Sequence, residues 1–367
     1  MKILCVVGTR PEAVKMAPVI LKLQETPGVE VVVCVTAQHR EMLDQIFALF
    51  AITPEIDLNL MRPNQTLAEL SAAIFAHLDP VLNEVRPDWV LAQGDTTTVM
   101  ATALLSYYRR IRFGHVEAGL RTGDKWQPFP EEINRRMAGV IADLHFAPTP
   151  WARDNLLRES VPAEAIRVTG NPVIDALHQV AARPFAWEAS PLAGLPTDKR
   201  LILVTAHRRE NFGQPLERIC AALKALAARG DVHLVYPVHL NPNVWQPVHA
   251  LLGDVPNITL LPPLDYLPLV HLLKRSTLVL TDSGGLQEEA PGLGVPVLVL
   301  RTVTERPEGV QAGTVKLVGT DTARILTEAN HLLDDPQAHA AMAQAVNPYG
   351  DGHAAGRIVA ALLASTP

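Results

Sequence analysis

Short apolar, β-branched runs alternate along this chain with longer amphipathic stretches, and that alternation limits the fold more than any other feature. "KILCVV" is followed by a helical pattern from about Glu12, then "VEVVVCV", "REMLDQIFALF", "LAELSAAIFAHLDPVLNEV", "DWVLAQ", another helical stretch and "IRFGHV". A residue period near two gives way repeatedly to one near 3.6. Such βα units imply an α/β fold, a doubly wound parallel sheet covered by helices on both faces and joined by right-handed crossovers. A second series follows "RVTGNPVIDAL", with strands expected at "RLILVTA", "VHLVYPV", "NITLLPP", "TLVLTDS", "VPVLVL" and "TVKLVG". Gly, Asn and Pro break both periodicities near Gly170 to Ile174, which sets the expected boundary. Two doubly wound domains are predicted, over 1–170 and 171–351, with a C-terminal helix over 352–365 that could pack back on the first.

Composition narrows the functional classes. The 367 residues are 48% hydrophobic and 19% charged, enough to bury two cores of ordinary size. A formal charge of -6 argues against general nucleic-acid binding, which needs a net basic face, so an anionic ligand would be held by local arginines. "MKILCVVGTR" reads as a first strand rather than a signal peptide, and no apolar segment approaches the ~20 residues of a membrane span. Cys5, Cys34 and Cys220 lie singly on apolar stretches, as reduced core thiols of a cytoplasmic protein would.

Ligands of open parallel sheets bind at the carboxyl ends of strands, so those positions carry the functional reading. "GTRPEAVK" is neither a dinucleotide fingerprint nor a Walker loop, yet Arg10 and Lys15 could add charge to a helix mouth that binds an anion; an ordinary turn with a solvated arginine reads equally well. "LAQGDTTTV" sets Asp95 after a strand, either as a helix cap or as a functional acid. "GHVEAGL" ends an apolar strand on Glu117, where no helix plainly begins. "FPEEINRR" puts Glu131 and Glu132 in a first helical turn, with surface ion pairs to Arg135 and Arg136 as the plain expectation. In "VTAHRRENFG", His207 follows a strand among arginines and could be a polar residue, a phosphate donor or an acid catalyst. "TDSGGLQEEAP" is the clearest single signal: Ser283, Gly284 and Gly285 would let a pyrophosphate approach backbone N–H groups, with Glu288 and Glu289 one turn on for ribose hydroxyls. His239 and Glu305 either line the site or are structural. No spacing matches a metal cage, so no metal is expected.

In order, "GTRPEAVKMAP", "TAQHREMLDQ", "QGDTTT", "GHVEAGLRTGD", "PEEINR", "TAHRRENFG", "YPVHLNPNV", "TDSGGLQEEAP", "TERPE" and "NPYGDG" closely resemble the non-hydrolysing bacterial UDP-N-acetylglucosamine 2-epimerases, from Met1 to about Gly356. The resemblance implies a GT-B-like pair of Rossmann-type domains with the active site in the cleft between them. It implies interconversion of UDP-N-acetylglucosamine and UDP-N-acetylmannosamine at carbon-2, without a cofactor, by elimination of UDP to 2-acetamidoglucal and re-addition. Asp95, Glu117 and Glu131 would then be the acid/base groups, with pKa values pushed apart, and His207 would assist at the diphosphate. Arg10, Lys15, Arg135, His207, Ser283, Gly284, Gly285 and Glu289 would hold UDP, and Gln38 with His239 would belong to a second, activating UDP-N-acetylglucosamine site. Two departures stand out: Leu269 sits where some relatives carry an aromatic ring, and Asn64 where relatives with the second site can carry a basic residue. A homodimer is the family expectation. The rival readings are a glycosyltransferase of the same fold, a hydrolysing epimerase and a UDP-sugar sensor; the first-domain acids favour the epimerase.

Overall fold

The structure, a computed structural model, describes residues 1–36, 40–62 and 64–365. Its contacts divide the chain into one unit of Met1–Ala176 with Tyr349–Pro367 and a second of Leu177–Pro348.

The first unit contains strands β1 (Lys2–Val7), β2 (Glu30–Val35), β3 (Ile56–Asp57), β4 (Trp89–Gln93), β5 (Arg112–Val116), β6 (Leu144–Ala147) and β7 (Ile166–Val168). Its helices are α1 (Arg10–Gln24), α2 (Arg40–Phe50), α3 (Leu67–Val85), α4 (Thr97–Arg109), α5 (Glu131–Ile141) and α6 (Pro150–Arg158). The next helix, α7 (Pro172–Ala181), carries the chain across the division. The strands pair in parallel in the order β3-β2-β1-β4-β5-β6-β7. The centre is apolar on both faces: Leu4, Val6, Val90, Ala92 and Phe113 are fully buried, as strands covered by helices must be. The short β3, β6 and β7 lie toward the sheet edges and carry weaker runs, and sequence periodicity does not pick them out.

The second unit contains β8 (Arg200–Thr205), β9 (Val232–Pro237), β10 (Ile258–Leu261), β11 (Ser276–Thr281), β12 (Val297–Val299) and β13 (Val315–Leu317), all parallel in the order β10-β9-β8-β11-β12-β13. Helices α8 (Gln214–Ala227), α9 (Pro242–Leu252), α10 (Tyr266–Arg275), α11 (Gly284–Gly292), α12 (Pro307–Ala312), α13 (Thr322–Asp334) and α14 (Pro336–Ala343) accompany it. The last helix, α15 (Ala354–Ala364), packs on α1 in the first unit, where Asp175 accepts from Ala354 N and Ala355 N at 3.1 and 2.9 Å. Each sheet therefore reverses its winding once, between β1 and β4 in the first unit and between β8 and β11 in the second. Those switch points mark where a ligand crevice opens in a doubly wound sheet.

Local chemistry explains the helix starts. Thr66 and Glu69 form a reciprocal capping box at α3, Pro11 occupies the first turn of α1, and Asp321 caps α13. Cys5, Cys34 and Cys220 are buried and unpaired, and burial pushes the Cys34 and Cys220 thiols up to about 12, so they serve as core residues. Among the described residues no helix is long and apolar enough to cross a membrane.

Candidate active site

In the first unit the acids gather at the carboxyl ends of β4 and β5. Strand β5 is buried up to Val116, and the chain then turns at Glu117 with φ of 63°. A non-glycine residue held in the left-handed region costs about 1–2 kcal/mol, an expense usually met at functional positions. Glu117 is 7% exposed. Its Oε1 accepts from Lys15 Nζ at 2.5 Å and Asn171 Nδ2 at 2.7 Å, and its Oε2 accepts from Gln93 Nε2. These donors come from α1, the start of α7 and the end of β4, so three elements converge on one carboxylate.

Asp95 does not cap α4. That cap is Thr96, whose hydroxyl accepts from Val99 N at 3.4 Å. Asp95, half-buried, instead accepts from Arg135 Nη2 at 2.7 Å, and its carbonyl accepts from Asn134 Nδ2 at 3.0 Å. The adjacent glutamates of α5 differ sharply. Glu132 is fully buried, accepting from Thr122 N and Gly123 N at 3.1 and 3.3 Å and pairing with Arg136 at 3.2 Å. The surface pairs expected for both glutamates thus fall to Glu132 alone, and it is a buried anchor for the loop before α5. Glu131, half-buried, has no side-chain hydrogen bond or ion pair among the described residues. Helix α5 therefore contributes an uncommitted carboxylate from the same turn and a half that holds Asp95.

Two buried groups brace this region. His115 Nε2 lies 2.7 Å from Gly94 O, and burial pushes its pKa down to about 3, so it is neutral with the proton on Nε2. Glu12, 2% exposed, accepts from Gly8 N at 2.5 Å, and burial pushes its carboxyl up to about 7 against the hydrogen bonds it receives. Arg10 opens α1 on the same turn.

In the second unit the residues cluster around Asp282, which follows β11 and is fully buried. Its Oδ2 accepts from His207 N, Arg208 N and Asn211 Nδ2 at 2.8, 2.8 and 2.9 Å, while Oδ1 faces His207 Nδ1 at 3.2 Å. Burial lowers the His207 pKa, with Asp282 opposing it. The imidazole stacks on His239, with centroids 5.5 Å apart and planes 11° from parallel. Ser283 precedes α11 without spending its side chain on a cap, and Gly284 and Gly285 form the first turn. His207, His239, Ser283, Gly285 and Glu289 line one pocket of about 230 Å³, whose apolar wall includes Pro263, Leu264 and Leu269. Glu289 accepts from Tyr266 OH at 3.1 Å. A Cβ on Gly284 would lie 2.5 Å from Arg306 Nη1, so that glycine admits a guanidinium paired with Glu288 and Glu305. Burial would raise Glu305, but Arg301 and Arg306 together hold it below the ordinary range, placing it in an ion-pair network.

Of the residues singled out by sequence, Lys15, Asp95, Glu117 and Arg135 come together in the first unit, with Glu131 on the helix that holds Asp95; His207, His239, Ser283, Gly285 and Glu289 come together in the second. Gln38 lies outside the described residues. Gln93, Asn171, Glu12 and Asp282 were not singled out. Gln93 and Asp282 carried the signal that marked Glu117, a polar residue closing an apolar strand.

Two Rossmann-type units, one with strand-end acids and one with a glycine-opened helix mouth beside a pocket, define a two-domain α/β protein suited to a nucleotide ligand. Residues 21–363 match the model of the UDP-N-acetylglucosamine 2-epimerase family. The UDP-N-acetylglucosamine 2-epimerase of Salmonella typhimurium is 54% identical over 99% of this chain and 98% of its own. The Neisseria meningitidis UDP-GlcNAc 2-epimerase, solved bound to UDP-GlcNAc, is 48% identical over the whole of both chains with a TM-score of 0.91. The Methanocaldococcus jannaschii enzyme, solved with UDP-GlcNAc and UDP, is 32% identical over the whole of both chains with a TM-score of 0.84. The chain belongs to the UDP-N-acetylglucosamine 2-epimerase family.

Proposed function

We propose that this chain interconverts UDP-N-acetylglucosamine and UDP-N-acetylmannosamine without hydrolysis. In the elimination, a carboxylate takes the carbon-2 proton, the C–H electron pair becomes the carbon-1 to carbon-2 double bond, and the carbon-1 to oxygen bond breaks with its electrons leaving on the β-phosphate oxygen of UDP. In the return step that oxygen attacks carbon-1 and the double bond takes a proton at carbon-2 from an acid on the opposite face. The sequence is redox-neutral and needs two proton-transfer groups. The observation that carries this reading is Glu117, a buried strand-end carboxylate on a left-handed residue, with Asp95 and Glu131 as the remaining acids.

In this reading the second unit binds UDP. The first-turn N–H groups of α11 and His207 meet the diphosphate, Glu289 takes the ribose hydroxyls, and the apolar wall with Leu269 receives uracil. Arg10, Lys15 and Arg135 offset charge on the leaving group and the acids. His239 would border a second, activating UDP-sugar. We also propose a homodimer, supported by the apolar residues left exposed on the mutually packed α4 and α5: Tyr107, Tyr108, Ile133, Met137 and Val140, the last 88% exposed. Sedimentation velocity should then return twice the chain mass.

The deciding experiment is proton and phosphorus NMR of UDP-N-acetylglucosamine with the protein in deuterium oxide, without acceptor or cofactor. Deuterium at carbon-2 together with UDP-N-acetylmannosamine supports the proposal. Free N-acetylmannosamine with UDP would replace it by a hydrolysing reaction, and no turnover despite UDP binding would favour a glycosyltransferase.

A further inference from the structure

Glu131, Asn134 and Arg135 stand at i, i+3 and i+4 of α5, so the three share one face of the helix. Two of them grip the same residue of the β4–α4 connection. Arg135 Nη2 reaches the Asp95 carboxylate at 2.7 Å, and Asn134 Nδ2 reaches the Asp95 carbonyl at 3.0 Å. The helix ladder explains why that carbonyl takes a side-chain donor. Thr96 caps α4, and its carbonyl accepts the first intrahelical hydrogen bond, from Met100 N at 3.1 Å, so Asp95 O lies one residue outside the ladder. The connection is also pinned from the sheet side: Gly94, at φ of 91°, donates its N–H to Val116 O at 3.0 Å, and its carbonyl lies 2.7 Å from His115 Nε2. Asp95 is therefore held between β5 and α5. Helix α5 is itself anchored in its first turn, where the buried Glu132 accepts from Thr122 N and Gly123 N. Asn134 is 5% exposed, adds no charge and bonds a main-chain oxygen, so what it fixes is a position.

We infer that Asn134 is a positioning residue that sets the spacing between Asp95 and Glu131, by tying the Asp95 peptide to the helix face on which Glu131 stands; the inference rests on the epimerase reading above, in which both are reacting acids. Two proton-transfer groups must address one carbon from different directions, and misplacing either by about 1 Å can cost about 10²-fold in rate. The spacing matters equally whichever acid gives the proton. Binding of UDP does not depend on it, since in the same reading the second unit holds the nucleotide.

The test compares kcat, KM and calorimetric UDP affinity for the full chain and for Asn134→Ala and Asn134→Asp at pH 8, well below the unfolding midpoint of each. Asn134→Ala removes the donor and some packing volume. Asn134→Asp keeps the shape but sets a carboxylate oxygen against the Asp95 carbonyl. Both should lower kcat about tenfold or more, with KM and the UDP Kd within about threefold of wild type. Asn134→Asp should be at least as impaired as Asn134→Ala, whereas a merely structural role would make the variant of native shape the milder one and leave kcat per folded molecule unchanged. Two variants are used so that poor folding of one leaves the other to decide. A kcat within about threefold of wild type in a folded variant, or a loss of UDP affinity as large as the loss of kcat, overturns the inference. Failure of both to fold overturns it too, since Asn134 would then support the whole unit. Absence of carbon-2 exchange in the wild type overturns the epimerase reading instead.

Discussion

Both units place a buried carboxylate just beyond a central parallel strand, Glu117 after β5 and Asp282 after β11, and the two are built for opposite purposes. Asp282 takes two backbone N–H groups and an asparagine amide on one oxygen, donors fixed by the loop that they hold. Glu117 takes side-chain donors from three different elements, on a backbone bent into the left-handed region. Backbone donors make a strut that fixes where His207 and Arg208 sit; side-chain donors make a cradle that can yield as a proton moves. The position of an acid at a strand end therefore does not reveal its role, whereas the origin of its donors does.

The sharpest way to break this contrast is by charge-neutral substitution. Glu117→Gln, Asp95→Asn and Glu131→Gln should each reduce turnover by roughly 10²–10⁴-fold while UDP affinity, measured by calorimetry, is retained. Near-wild-type rates in all three would remove acid/base chemistry from the first unit.

Asp282→Ala tests the other side. It leaves the part-buried His207 N and Arg208 N without their acceptor and takes one of two acceptors from the buried Asn211 amide, which keeps Leu300 O, each loss worth about 1–3 kcal/mol, so the second unit should lose about 2 kcal/mol or more in denaturant unfolding. UDP affinity should fall with it, since the 207–211 segment loses its anchor. A variant as stable as wild type would show that Asp282 is no strut, and the contrast with Glu117 would collapse.

How much of this was written in the residue order follows from the range of each interaction. The βα alternation is local, and it located nearly every central strand; the two-residue β3 and the short β6 and β7 gave too little period to read. Caps are also local, yet Thr96 and Asp95 are neighbours and only coordinates separate the cap from the acid. The partners of Glu117 lie 24, 54 and 102 residues away, and those of Asp282 lie 71 to 75 residues away. No periodicity carries such pairings, so the acids were legible and the groups that define them were not. Glu132 shows the same limit: helix spacing finds its ion pair with Arg136, but its complete burial depends on a loop folding over it.

Glu12 supplies the finest test, because it is a third buried acid with poorer solvation than either. Oε2 takes Gly8 N, while Oε1 has no hydrogen-bond partner, and its pKa is raised to about 7. A carboxyl raised on folding binds its proton more tightly in the native state, so its effect on stability is neutral below its ordinary range and increasingly unfavourable as pH rises through 7. His115 and His145, lowered by burial to about 3 and about 4, act in the opposite sense and remove stability as pH falls below about 6.5. The two effects overlap between pH 4 and 7, so the wild-type curve alone does not separate them. Glu12→Gln does, since the amide oxygen can still accept from Gly8 N but carries no charge. Relative to wild type, the variant should gain roughly 3 kcal/mol of stability between pH 4 and pH 8. A difference that stays flat across that range would mean that Glu12 is solvated as well as Glu117 is, and that donor supply does not distinguish the acids of this unit.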